Sequence, residues 1–208
     1  MIRQIPIQGF DNNFSYFIEN GKDIAVVDPG DTDHLISEIR LDGLNVKMIL
    51  LTHSHFDHVS GVQKLVERFG VPVYVHKHAA KRLNLKENMT VFIDEGDILR
   101  LDGLKIKVLY TPGHIDDAVC FYIEEHGHLI TGDTLFVEGC GRADLEGSNV
   151  EDLWESLQRI MKLPQSTKVY PGHHYGSIPI STIGFEKANN RFFKCKDFEE
   201  FRKERMGY

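Results

Sequence analysis

Hydrophobic positions along this 208-residue chain fall into short runs whose period changes in a regular order. Ser15-Tyr16-Phe17-Ile18 and Ile24-Ala25-Val26-Val27 flank Asn20-Gly21, a turn dipeptide that joins two strands as a hairpin. Asp28-Pro29-Gly30-Asp31 breaks the second strand, and Leu35, Ile36 and Ile39 then carry helical spacing. Met48-Ile49-Leu50-Leu51 is apolar throughout, as in a strand buried on both faces. Val59, Val62, Leu65, Val66 and Phe69 recur at about 3.6 residues, which predicts a helix, and Val71-Pro72-Val73-Tyr74-Val75 predicts the next strand.

The second half repeats this grammar. Lys105 to Tyr110 and Val119 to Ile123 read as strands, and Glu124-Glu125-His126-Gly127 turns the chain into Leu129-Ile130. Ser148-Asn149-Val150-Glu151 has the form of a capping box. It opens a helix with the apolar stripe Val150, Leu153, Trp154, Leu157, Ile160 and Met161. Lys168-Val169-Tyr170 reads as a last short strand, and Asp197 to Met206 as a charged amphipathic helix. Two similar halves that mix strands and helices predict an α/β protein, a four-layer αββα sandwich. One domain over 1–208 is expected, with 182–208 a short helical C-terminal extension.

The candidate chemistry sits where strands end. Directly after Met48–Leu51 comes Thr52-His53-Ser54-His55-Phe56-Asp57-His58, with three imidazoles and a carboxylate. Imidazole with carboxylate suits zinc, iron or manganese better than calcium or magnesium. The loop holds more ligands than one tetrahedral ion takes from a single segment, which points to two metals. Thr111-Pro112-Gly113-His114, Gly132-Asp133-Thr134 and Pro171-Gly172-His173-His174 follow later strands in the same manner. Four strand ends that each present His or Asp predict one shared rim. His34, His76, His78, His126 and His128 stand outside these motifs and are expected to be ordinary surface or core residues.

Composition narrows the function classes. With 31 acidic against 24 basic side chains the formal net charge is −7, so a nucleic-acid surface is not expected. No run of eighteen apolar residues predicts a membrane span, and Met1 to Pro6 lacks the apolar region of a secretion signal. Cys120, Cys140 and Cys195 are odd in number and widely spaced, as for free thiols in a reducing, cytoplasmic setting.

The series THSHFDH, TPGH, GDTLF and PGH resembles the metallo-β-lactamase superfamily over nearly the whole chain. Gly132-Asp133-Thr134-Leu135-Phe136 followed by Gly139-Cys140-Gly141-Arg142 resembles its glyoxalase II branch, the hydroxyacylglutathione hydrolases. That resemblance implies a first metal held by His53, His55 and His114, a second held by Asp57, His58 and His173, and Asp133 bridging both. His173 rather than His174 is implied, because the family ligand directly follows the glycine. Zinc is the leading metal, with iron or manganese as the others. The implied activity is hydrolysis of a small-molecule acyl thioester by a metal-bridging hydroxide. Asp57 is the catalytic candidate, as ligand and orienter of the hydroxide, and Arg142 would bind substrate. The ending Asn189-Asn190-Arg191-Phe192-Phe193 is similar to acyl hydrolases of bacterial polyketide clusters, which makes carrier-protein or pantetheine thioesters the first alternative. Residues 182–208 carry seven Lys/Arg against five Asp/Glu, which suits a phosphate or an acidic carrier. Gly139-Cys140-Gly141-Arg142-Ala143-Asp144 also resembles persulfide dioxygenases, which implies a second alternative with one iron on His53, His114 and Asp133.

Overall fold

The chain folds into two six-stranded sheets packed face to face with helices outside each, as seen in a computed structural model that describes residues 1–7 and 11–207. The first sheet runs in chain order: β1 (Ile2–Pro6), β2 (Phe14–Asn20), β3 (Asp23–Val27), β4 (Asn45–Leu50), β5 (Val73–His76) and β6 (Thr90–Ile93). The second comprises β7 (Ile98–Leu101), β8 (Leu104–Tyr110), β9 (Val119–Ile123), β10 (His128–Gly132), β13 (Lys168–Pro171) and β14 (Ser181–Thr182). Its order is β14-β13-β10-β9-β8-β7, and β11 (Leu135–Phe136) and β12 (Gly139–Cys140) form a small separate pair.

The period of two in each strand decides what it touches. Tyr16, Leu50, Ile106 and Phe121 point between the sheets into one buried cluster. Their neighbours Phe17 and Ile49 face the other way, onto Leu35 of α1 (Thr32–Asp42) and Leu65 of α3 (Val62–Phe69). On the far side, Tyr122 and Leu129 meet Leu153 and Leu157 of α4 (Val150–Ile160). The same cluster takes in Ile183 of α5 (Ile183–Asn189) and Phe201 of α6 (Phe198–Met206). Each fully buried side chain of this size contributes about 1.5–3 kcal/mol, so the three clusters hold four layers together.

Two expected elements differ in detail. The helix read from Val59 onward is broken into α2 (Phe56–Val59) and α3, with Ser60 and Gly61 between them. Gly61 donates its N–H to Pro29 O at 2.8 Å, and a Cβ there would lie 2.4 Å from that oxygen. The close approach pins the histidine loop to the Asp28–Asp31 turn and interrupts the helix. The cap of α4 is Asn149 rather than Ser148: Asn149 Oδ1 accepts from Glu151 N and Asp152 N, while Ser148 Oγ donates to Leu145 O. Among the described residues, no helix is long and apolar enough to cross a membrane.

The layers converge at one rim. The carboxyl ends of β4, β8, β10 and β13 lead into His53, His114, Asp133 and His173 respectively. Backbone bonds stitch these ends across the two sheets: Val119 N donates to Thr52 O and Phe14 N to Gly172 O, each at 2.8 Å.

Candidate metal centre

All seven side chains singled out in the sequence meet at this rim, in two groups that share Asp133. In the first group His55 Nδ1 lies 3.1 Å from His53 Nε2 and 3.0 Å from His114 Nε2. In the second, His58 Nε2 lies 3.3 Å from His173 Nε2, and Asp57 Oδ2 is 3.6 Å and 3.4 Å from those two nitrogens. Asp133 Oδ2 is 3.5 Å from His114 Nε2 and 3.3 Å from His173 Nε2, while its Oδ1 is 3.4 Å from His58 Nε2. His53, His58, His114, Asp133 and His173 are buried, and His55 and Asp57 are half-buried.

The far side of each ring explains why these atoms face inward. His114 Nδ1 donates to the carbonyl of Arg142 at 3.0 Å, and His173 Nδ1 to the carbonyl of Asp11 at 2.8 Å. His58 Nδ1 donates to Asp28 Oδ2 at 3.0 Å. The Thr52 hydroxyl donates to the same Asp28 oxygen, so Thr52 Oγ1 accepts from His53 Nδ1 at 3.0 Å. Fixing the proton on one imidazole nitrogen leaves the lone pair on the other, which is how metal-binding histidines are oriented.

The donor set therefore fits metal ions. Ring nitrogens converge with their lone pairs toward one another, an arrangement that a cation relieves. Among the described residues Asp133 Oδ1 is buried without a hydrogen-bond partner, and an orphaned carboxylate oxygen is costly unless a cation meets it. Electrostatics separates the two groups. Burial, reinforced by His58, holds His53 well below the ordinary imidazole range, and burial with His114 lowers His55 to about 4. Burial opposes charge on His58 as well, but Asp133 and Asp28 outweigh it and raise that ring well above its ordinary value. Asp133 is held well below the carboxylate range, its burial overcome by His58 and His173. Burial thus favours the neutral, metal-ready form of His53 and His55. In the second group Asp133 and Asp28 favour the charged form of His58, so a metal ion entering there competes with a proton.

Close packing leaves no room for drift. A Cβ at Gly172 would sit 2.2 Å from Asp133 Oδ1, so only glycine lets the His173 turn pass beneath that carboxylate. Two buried residues essential to this geometry escape sequence reading, Asp28 and Asn13. Asp28 sits in a segment that reads as a plain turn, and its one unusual signal, a backbone φ of 48°, appears only in three dimensions. Asn13 donates from Nδ2 to Asp57 Oδ2 at 2.8 Å. His174 is exposed and packs near Phe14, outside both groups. Cys140 is 4% exposed in the cluster beneath α4, and burial raises its thiol to about 12, as it does for Cys120. Arg142 is exposed and paired with Asp144 through two bonds of 2.9 Å, so its carbonyl serves the site while its guanidinium stands at the rim.

Residues 8–173, which span every one of these motifs, match the family model described as the metallo-beta-lactamase superfamily. The chain belongs to that superfamily. Among superfamily relatives, a hydroxyacylglutathione hydrolase of Haemophilus influenzae is 34% identical over 213 residues, covering 94% of this chain and 99% of that protein. A probable polyketide biosynthesis zinc-dependent hydrolase of Bacillus velezensis is 31% identical over 194 residues, covering 91% and 85%. In three dimensions the chain is similar to the BLEG-1 B3 metallo-beta-lactamase, with a TM-score of 0.84 and 31% identity over 94% of this chain and 100% of that one. The chain is a metallo-hydrolase of the superfamily, with His and Asp clusters able to hold metal ions.

Proposed function

We propose that this chain hydrolyses acyl thioesters with two divalent ions, zinc before iron or manganese. His53, His55 and His114 would hold one ion, Asp57, His58 and His173 the other, and Asp133 both. When bound, such ions lower the pKa of a water from 15.7 to roughly 7 and polarise the acyl carbonyl. The chain supplies the rest. Asp57 is the catalytic residue: its carboxylate is 31% exposed where the site opens to solvent, so its free oxygen can accept a hydrogen bond from the attacking water. The buried cysteines, with thiols near 12, offer no competing nucleophile. A thiolate leaving group departs without a protonated acid beside it.

The observation that carries the reading is similarity over 99% of a hydroxyacylglutathione hydrolase, in a chain whose two donor groups are both complete. The convergence of Asp57, His58 and His173 also favours this reading over a dioxygenase with one iron on His53, His114 and Asp133, which would leave Asp57 and His58 unemployed. The similarity to a polyketide hydrolase supports carrier-bound or pantetheine thioesters as the second reading.

Thiol release from lactoylglutathione and from a short acyl-pantetheine tests the proposal and ranks the carriers. Hydrolysis of either is the expected result. Ring opening of a β-lactam, or oxygen uptake with glutathione persulfide, without thiol release from any thioester would overturn it.

Arg142 is the proposed substrate residue. Arg142→Ala should raise KM for an anionic thiol carrier about tenfold and leave kcat within about twofold, because a cation at the rim holds the carrier and not the reacting carbonyl. The substitution keeps the backbone carbonyl that orients His114, so a fall in kcat with KM unchanged would contradict the assignment.

A further inference from the structure

We infer that Asn13 is a positioning residue for the second metal group: its side-chain amide holds the Asp57 carboxylate against His58 and His173, and occupancy of that group by a metal ion depends on it. The inference rests on the two-ion reading above and concerns a residue that reading does not use.

Asp57 needs such a hold. It lies in the first turn of α2, a helix of four residues, and nearly a third of its side chain faces solvent. A carboxylate placed this way has water as a ready alternative to the site. In the structure Asp57 Oδ2 accepts from Asn13 Nδ2 at 2.8 Å, and the same nitrogen lies 3.3 Å from the Asp57 carbonyl. Asn13 itself is immobilised, being 2% exposed and bridged through its backbone to His173.

The segment around Asn13 is tied to the turn that presents His173. Phe14 N donates to Gly172 O at 2.8 Å, His174 N to Asn12 O at 2.9 Å, and His173 Nδ1 to Asp11 O at 2.8 Å. The amide of Asn13 extends that scaffold to Asp57. Two ligands more than a hundred residues apart in sequence are thereby held in register by one short segment. None of the described hydrogen bonds of residues 11–14 reaches His53, His55 or His114, so the effect belongs to one group. A packing role alone is a poor account of the residue. Among the described residues its Oδ1 is buried without a hydrogen-bond partner, so an apolar side chain of similar volume costs little at that oxygen.

The test is zinc titration of the metal-free protein against a chelator, for the wild type and Asn13→Leu, with thermal unfolding of both metal-free forms. The wild type should bind two ions. In the variant one ion should keep its affinity within about twofold and the other should weaken about 10–100-fold, the usual effect of losing a residue that orients a ligand. The unfolding midpoint should move by less than about 4 °C. Asn13→Ala, which leaves space instead of bulk, gives the same reading if leucine does not fit. Two ions at wild-type affinity in both variants would overturn the inference alone. Equal weakening at both groups with a large fall in the midpoint would show a structural role and overturn it too. A single ion in the wild type would overturn the two-ion reading, and the inference with it.

Discussion

Asp133→Asn is expected to lower kcat/KM for a thioester roughly 10³-fold, equivalent to about 4 kcal/mol of transition-state stabilisation, with most of the fall in kcat. The reason is positional. Asp133 Oδ2 reaches both His114 and His173, and Oδ1 faces His58, so this carboxylate sets its oxygens against rings of both donor groups. Asparagine matches its size but turns an NH2 toward nitrogens that present lone pairs, and it removes the charge that balances two cations. Metal analysis should find fewer than two ions per chain in the variant. Steady-state kinetics beside that analysis decides the matter: near-normal kcat with two ions retained would show that Asp133 does not join the groups.

Asp28→Asn should be nearly as damaging although Asp28 contributes no atom to either donor group as proposed. Its carboxylate, 1% exposed, accepts from Thr52 N at 2.7 Å, from the Thr52 hydroxyl and from His58 Nδ1. An amide serves Thr52 N with its oxygen but sets its NH2 against His58 Nδ1–H. The ring then carries its proton on Nε2, the nitrogen that must stay free. Zinc affinity at the second group should fall about 10–100-fold. Affinity at the first should fall less, because the hydrogen-bonded link from Asp28 to His53 runs through Thr52. A buried donor left unpaired should also destabilise the metal-free chain by about 1–3 kcal/mol, read as a lower midpoint in denaturant. Unchanged zinc affinity at both groups would contradict the assignment.

These two residues mark what is and is not legible in the chain. The seven candidate donors declare themselves because their residue types are rare after strand ends, and the strands are readable from apolar runs. The αββα layering follows from the same runs. What supports the donors is written in ordinary residues. Asp28 sits in a turn sequence that any strand break could use, and Asn13 looks like one more polar residue before a strand. The carbonyls of Arg142 and Asp11 orient His114 and His173, and a carbonyl belongs to every residue type. Strands β6 and β7 are four residues each, and both leave an apolar residue exposed, Phe92 and Ile98, so residue type there does not tell the core face from the solvent face. The break between α2 and α3 is set by the contact of Gly61 with Pro29, far back in the sequence, which no helical period records.

Two ions are proposed to act together in thioester hydrolysis, and zinc titration of the metal-free chain, followed by thiol release from an acyl thioester, tests that most directly. Activity should stay low through the first equivalent and rise to a plateau at two per chain. A plateau at one equivalent, or a chain that works only with a single iron and consumes oxygen in place of releasing thiol, would contradict it.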